Sequence, residues 1–174
     1  MARLPYADLR SDALRPLVER IVAERGHVLH LYQMLLHSPP LAEGWLAYLT
    51  AVRHHLALGG ALRELIIMRV ALLNGAPYEA DQHAPIALKE GVTPQQLAAL
   101  AGWESAVCFD ATERAVLRLT DAMSCDIHFA PETLDDVREQ LGDRGTVEVT
   151  ATIAAYNMVS RFLEALQIHS DDPR

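Results

Sequence analysis

Residues 61–83 read "ALRELIIMRVALLNGAPYEADQH". The first part, 61–74, is apolar on nearly every side at helical spacing. A helix of that kind belongs in the centre of a bundle or at a subunit interface, not on a wet surface. Gly75 then supplies a stop, and Pro77 opens a second helix at its first position, where a missing N–H costs nothing. Ala76 falls at the N-cap and Glu79 near the third helical position. The polar residues of the first helix, Arg63, Glu64 and Arg69, each need a partner. Glu64 shares its stripe with Gly60, Ile67, Met68, Ala71 and Gly75. A carboxylate on such a stripe is paired, protonated or lining a cavity. Burial without a partner would raise its pKa, one route to a general acid or base.

Working outward, the period stays helical and strand-like alternation is absent. The pattern predicts an all-α fold of eight or nine helices, over 11–25, 28–37, 39–57, 61–74, 77–90, 94–101, 111–127, 131–141 and 146–168. Several ends carry chemical marks. Ser38 before Pro39 is an N-cap. Thr93 with Gln96, and Asp110 with Glu113, have capping-box spacing. Gly75, Gly91, Gly102 and Gly142 fall where helices should stop. Pro85 lies inside 77–90 and predicts a kink there. With 174 residues, about half of them hydrophobic, the chain suits a single domain with a sizeable core. No repeat or long linker divides it, and the tail "HSDDPR" is expected to fray.

The balance of charge excludes some functions. A formal net charge of −8, with Lys89 the only lysine, opposes phosphate-backbone or anionic-membrane binding. No long uncharged apolar run predicts a membrane span. The start, "MARLPYADLRSDALRP", lacks an apolar core and carries early acids, unlike a signal peptide. Cys108 and Cys125 stand far apart with no second pair, which fits neither a disulfide framework nor a four-Cys zinc site. The expected setting is cytoplasmic and reducing.

Glu79 and His83 are four apart and share a face of their helix. The residues alone leave alternatives open. A first-turn Glu offsets the helix dipole. A Glu–His pair at this spacing is often a surface pair worth roughly a few tenths of a kcal/mol. Tyr78 either packs or donates to a ligand. Asn157 and Arg161, four apart in the last helix, share a face that is ordinarily a solvated stripe. His54 and His55, like His37, suit helix C-termini. Glu64, Glu79 and His83 could be read as a metal set, but neither a second Glu-x-x-His element nor His-Glu-x-x-His is present.

The stretch "LRELIIMRVALLNGAPYEADQHAPIALKEGVTPQQLAAL", 62–100, resembles the carboxymuconolactone decarboxylase family, which includes the alkylhydroperoxidase-D-like proteins. "LLHSPPLAEGWLAYL" upstream, "ERAVLRLTDAM" downstream and "AAYNMVSRFLEAL" near the end support it. The resemblance covers most of 31–168, leaving 1–30 as an N-terminal helical extension and 169–174 as a tail. It implies a compact alkylhydroperoxidase-D-like helical bundle that associates into dimers, trimers or hexamers. In thiol-active members a Glu of the apolar helix is followed, after a fixed spacing, by Cys-x-x-Cys and then a His. This chain keeps the frame with Glu64, position 76, position 79 and His83. Both thiol positions are changed, to Ala76 and Glu79.

That departure disfavours thiol chemistry, since a thiolate must attack and a second thiol resolve. It is similar to the decarboxylase branch, in which the second thiol position also lacks sulfur. There, loss of CO2 from a small unsaturated lactone acid leaves a delocalised carbanion that must be protonated at carbon. The expectation is therefore an acid–base enzyme on a small organic acid or lactone, without metal or other cofactor. Glu79 and His83 would move protons and Glu64 would orient His83. Tyr78 and Arg161 are candidates for binding substrate, with Arg53, Arg63 and Arg69 as further cations for a carboxylate. The alternatives are alkylhydroperoxidase-type antioxidant activity and a non-catalytic, ligand-binding oligomer. "YEADQH" departs from the decarboxylase's own pattern, so that substrate is not carried over.

Overall fold

The computed structural model describes residues 1–172. Eight α-helices follow one another: α1 (Arg15–Arg25), α2 (His30–Leu35), α3 (Pro39–His54), α4 (Gly60–Leu73), α5 (Pro77–Glu90), α6 (Pro94–Ala99), α7 (Ala111–Cys125) and α8 (Pro131–Leu166). A 3₁₀ segment, Leu100–Ser105, joins α6 to the loop before α7. There is no strand among the described residues, so the all-α expectation holds.

The chemical punctuation is where the sequence puts it. Thr93 and Asp110 each form both bonds of a capping box, with Gln96 and Glu113. Gly91 closes α5 in the left-handed region at φ 106°. Ser38 occupies the N-cap of α3 but makes no side-chain cap bond. The expected helix 11–25 starts only at Arg15, with Pro16 in its first turn. The expected pair 131–141 and 146–168 is one element broken at a single residue, Gly142, at φ 68° and ψ −179°. That conformation is essentially reserved for glycine. α5 continues through Pro85, and no residue inside it leaves helical dihedrals. Of the tail expected to fray, Asp172 is instead buried and accepts a 2.7 Å bond from the Tyr6 hydroxyl, which holds its carboxyl below the usual range. Residues 173 and 174 lie outside the described part.

By its contacts the chain forms two compact units, residues 1–55 with the chain from Leu163 onward, and Leu56–Phe162. In the first, α1 and α2 pack on α3. Arg25 ties that unit together by donating to Thr50 at 2.7 Å and to Tyr32 at 3.3 Å. In the second, α4 packs against α5 and α7. Leu65, Ala87, Val92, Leu100, Trp103, Phe109 and Leu117 form its buried cluster.

α4 behaves as its composition requires. Leu65, Ile66, Ile67 and Val70 are fully buried, each contributing about 1.5–3 kcal/mol by leaving water. This burial carries Glu64 and Arg69 inward with them, and each finds partners. Arg69 grips Asp121 with two bonds, 2.6 and 2.8 Å, and donates to the Leu100 carbonyl at 2.9 Å. Trp103 Nε1 adds a 2.9 Å bond to the same carboxylate. Among the described residues no helix is long and apolar enough to cross a membrane.

Candidate active site

The site begins at the turn between α4 and α5. Asn74 is the last cap of α4, and Gly75 takes φ 61°. The Ala76 N–H returns to the Ala71 carbonyl at 2.9 Å. Ala76 is the N-cap of α5 and Pro77 its first residue. The direct start puts Glu79 in the first turn and His83 one turn later, both on the buried side.

Glu64 of α4 is fully buried and meets His83 of α5, with Oε2 2.7 Å from Nδ1. Its other oxygen accepts from Arg63 Nε at 3.2 Å. Arg63 also reaches Glu90 at 3.7 Å. A carboxylate served on one oxygen by a guanidinium is held as an acceptor. The ring nitrogen facing the other oxygen is therefore the one that donates. The His83 ring stands edge-on to Tyr156, with centroids 5.2 Å apart.

Glu79 is buried as well. Its Oε2 lies 2.5 Å from the Ser160 Oγ of α8, a contact across 81 residues of sequence. The same Oγ is 2.7 Å from the Tyr156 carbonyl. Tyr78 is buried beside Glu79 in the sequence.

Three helices of one unit thus bring Glu64, His83 and Glu79 inward, together with Tyr156 and Ser160. Arg161 is exposed and is tied to Asn157, donating from Nη1 to Oδ1 at 2.9 Å. Asn157 Oδ1 also accepts from Asn74 at 3.0 Å, while its amide donates to Ser124 at 2.9 Å and to the Ile153 carbonyl at 3.1 Å. Arg161 is therefore placed by an asparagine anchored next to the α4–α5 turn. Two of the other cations considered for a substrate carboxylate are already paired: Arg69 with Asp121, and Arg63 with Glu64 and Glu90.

Sequence reasoning missed Ser160 and the two-sided hold on Glu64. A serine one turn after Tyr156, following the apolar residues Met158 and Val159, was the available signal for the first. Nothing in the sequence alone paired Arg63 with both Glu64 and Glu90.

Comparison with known proteins gives this geometry a family. The carboxymuconolactone decarboxylase family model matches residues 39–122, which contain α3 to α6 and most of α7, with Glu64, Tyr78, Glu79 and His83. Residues 39–122 belong to the carboxymuconolactone decarboxylase family. An uncharacterised protein of Bacillus subtilis, YdfG, is 28% identical over 106 residues, covering 60% of this chain and 72% of its own. The alkylhydroperoxidase AhpD core of a peroxidase-related protein from Ralstonia eutropha superposes with a TM-score of 0.83. It is 19% identical, over 98% of this chain and 93% of that one. The debrominase Bmp8, solved with 2,3,4-tribromopyrrole, superposes with a TM-score of 0.80 at 20% identity, over 96% and 92% of the two chains. These two likenesses show the fold. Against the thiol-active members of the family, positions 76 and 79 remain Ala and Glu. Cys108 is half-buried and Cys125 exposed, both outside the motif.

Proposed function

We propose that this protein is an acid–base enzyme acting on a small organic acid, lactone or similar unsaturated carbonyl compound, by decarboxylation or proton shift. The observation that carries the reading is the pair of separately held groups on α5. His83 is oriented through Nδ1 by Glu64, and one helical turn away Glu79 sits buried against Ser160. Environments that hold two titratable groups differently are how one site supplies both acid and base.

In the decarboxylation form of the proposal, the electrons of the breaking C–C bond remain on the substrate, delocalised into its unsaturated carbonyl system, as CO2 leaves. Glu79 or His83 delivers a proton to that carbon and regains one from solvent. Arg161, positioned by Asn157, holds the substrate carboxylate, for which a planar guanidinium is well matched. Tyr78 contributes to binding. That the debrominase with the same fold takes a small planar ring fits a compact unsaturated substrate. Association into a homo-oligomer belongs to the same proposal, supported by exposed apolar side chains such as Leu72, Leu88 and Val147.

The test is turnover of a panel of small unsaturated carboxylic acids and lactones by the protein and its E79Q, H83A and E64Q variants. General acid or base catalysis is worth about 10²–10⁴-fold. E79Q and H83A are expected to lose rate on that scale, and E64Q to move the pH–rate profile through His83. Unchanged turnover in all three removes the assignment.

A further inference from the structure

Glu90 ends α5 and Gly60 begins α4. The two meet closely. A Cβ at Gly60 would stand 2.6 Å from the Glu90 carboxyl carbon and would overlap its Oε2. The bare Cα of a glycine is what leaves room for the carboxylate. This seat is unfavourable for α5, because an anion at a helix C-terminus opposes the macrodipole. It suits α4, whose own first turn has no acidic residue. From there Glu90 Oε1 reaches the Arg63 guanidinium at 3.7 Å, and Arg63 Nε donates to Glu64 Oε1 at 3.2 Å. Glu64 Oε2 faces His83 Nδ1 at 2.7 Å. Carboxylate, guanidinium, carboxylate and imidazole thus follow one another inward from the end of α5. Glu90 is exposed, Arg63 half-buried, and Glu64 and His83 are buried.

We infer that Glu90, seated on Gly60, is a positioning residue that offsets the charge of Arg63 and so tunes the proton affinity of His83. Arg63 opposes a second proton on His83, both by its own charge and by drawing on Glu64. Glu90 weakens that opposition from the far side, so the imidazolium forms more readily with Glu90 in place. Other titratable and charged groups surround the ring. Tyr156 of α8 stands edge-on to it. Glu79 and Asp81 lie on α5 itself, with Lys89 beside Glu90. Asp121 comes from α7, which packs on α4, and is held by Arg69. None of these is altered by a change at Gly60 or Glu90, so a shift between variants reports the Glu90–Arg63 contact. That the proton affinity of His83 governs turnover rests on the function proposed above.

The experiment is an NMR titration of the His83 ring in the whole protein, with no substrate present, its signal identified by its absence from H83Q. E90Q removes the charge and should lower the His83 midpoint by about half a pH unit, a threefold fall in proton affinity. G60A keeps the charge, but its methyl group displaces the flexible end of Glu90 from Arg63. It should lower the midpoint in the same direction, and G60A/E90Q should do no more than E90Q alone. An exposed ion pair adds little to stability, so E90Q should melt close to the wild type. A merely structural Glu90 would move the melting temperature and leave the midpoint in place. A midpoint that rises or stays in either single variant overturns the inference. So does additivity in the double variant, which would mean that G60A acts without Glu90. A ring that fails to titrate between about pH 4 and pH 10 overturns it too, since His83 would then have no working proton affinity to tune. Lowered midpoints found alongside unchanged H83A turnover would leave this inference standing and remove the enzymatic one. Unmoved midpoints alongside lost H83A turnover would do the reverse.

Discussion

The contact between Glu64 and His83 is the residue pair on which the site depends, and it is a buried one. Taking a hydrogen-bonded carboxylate–imidazole pair out of water is costly, and the cost is offset only while both partners remain. Breaking such a pair by removing one member typically costs about 3–5 kcal/mol, whereas replacing both by apolar groups is often near neutral. H83L should therefore lower stability strongly, because Glu64 Oε2 loses its partner in a fully buried position. E64L/H83L should recover much of that loss, with Arg63 still held by Glu90. Denaturant melts of the two single variants and the double one measure the coupling directly. Simple additivity of the single losses would show that the pair is not a unit. The same argument explains why stability and activity should separate at Glu64. E64Q keeps an oxygen for the Nδ1–H of His83, so its fold survives, while the altered charge beside the imidazole changes the pH at which His83 works.

Between elements, the clearest tie reaches the start of α4 from α8. Glu148 Oε2 accepts from the Leu58 N–H at 2.8 Å, just ahead of the Gly59 cap, and Oε1 accepts from Arg144 at 2.9 Å. Burial works to raise the Glu148 carboxyl, but the Arg144 guanidinium and the backbone amides of Ala57 and Leu58 outweigh it and hold it below the usual range. A carboxyl lowered in the folded state stabilises it above the unfolded value, about 4.3 for Glu, and loses that contribution as pH falls through the folded value. E148Q should therefore melt below the wild type at neutral pH, and the gap should narrow on acidification toward pH 3. A gap that is constant with pH would mean that the carboxylate charge is not what holds α4 to α8. Glu148 also shows what the sequence could and could not reveal about elements. Helix positions were legible because Thr93, Asp110, Gly75, Pro77 and Gly91 act on their immediate neighbours. The frame of Glu64, Glu79 and His83 was legible because a family motif fixes its spacing. Ser160 on Glu79, Glu148 on Leu58 and Arg69 on Asp121 were not, since each joins residues many tens of positions apart and depends on which helix faces arrive together. The break at Gly142 shows the same limit locally. A glycine stop was readable there, but not that the chain resumes its helix at once.

For the molecule as a whole the question is whether its cysteines could support thiol chemistry. Thiol-based activity needs a nucleophilic sulfur and, within hydrogen-bond or disulfide reach, a second thiol to resolve the product. The whole chain contains two cysteines. Cys108 follows the 3₁₀ segment and packs at the edge of the buried cluster, while Cys125 ends α7 and is exposed. Neither stands at position 76 or 79, where the α5 N-terminus and His83 would activate it. Alkylation of both thiols, or the C108S/C125S variant, should leave the melting temperature and the turnover of any acid or lactone substrate unchanged. Consumption of peroxide with a dithiol reductant should stay at the level seen without protein. Peroxide turnover that the double variant abolished would instead move the chemistry from the Glu79–His83 face of α5 to a cysteine. It would also mean that the retained spacing of Glu64 and His83 no longer marks where this protein reacts.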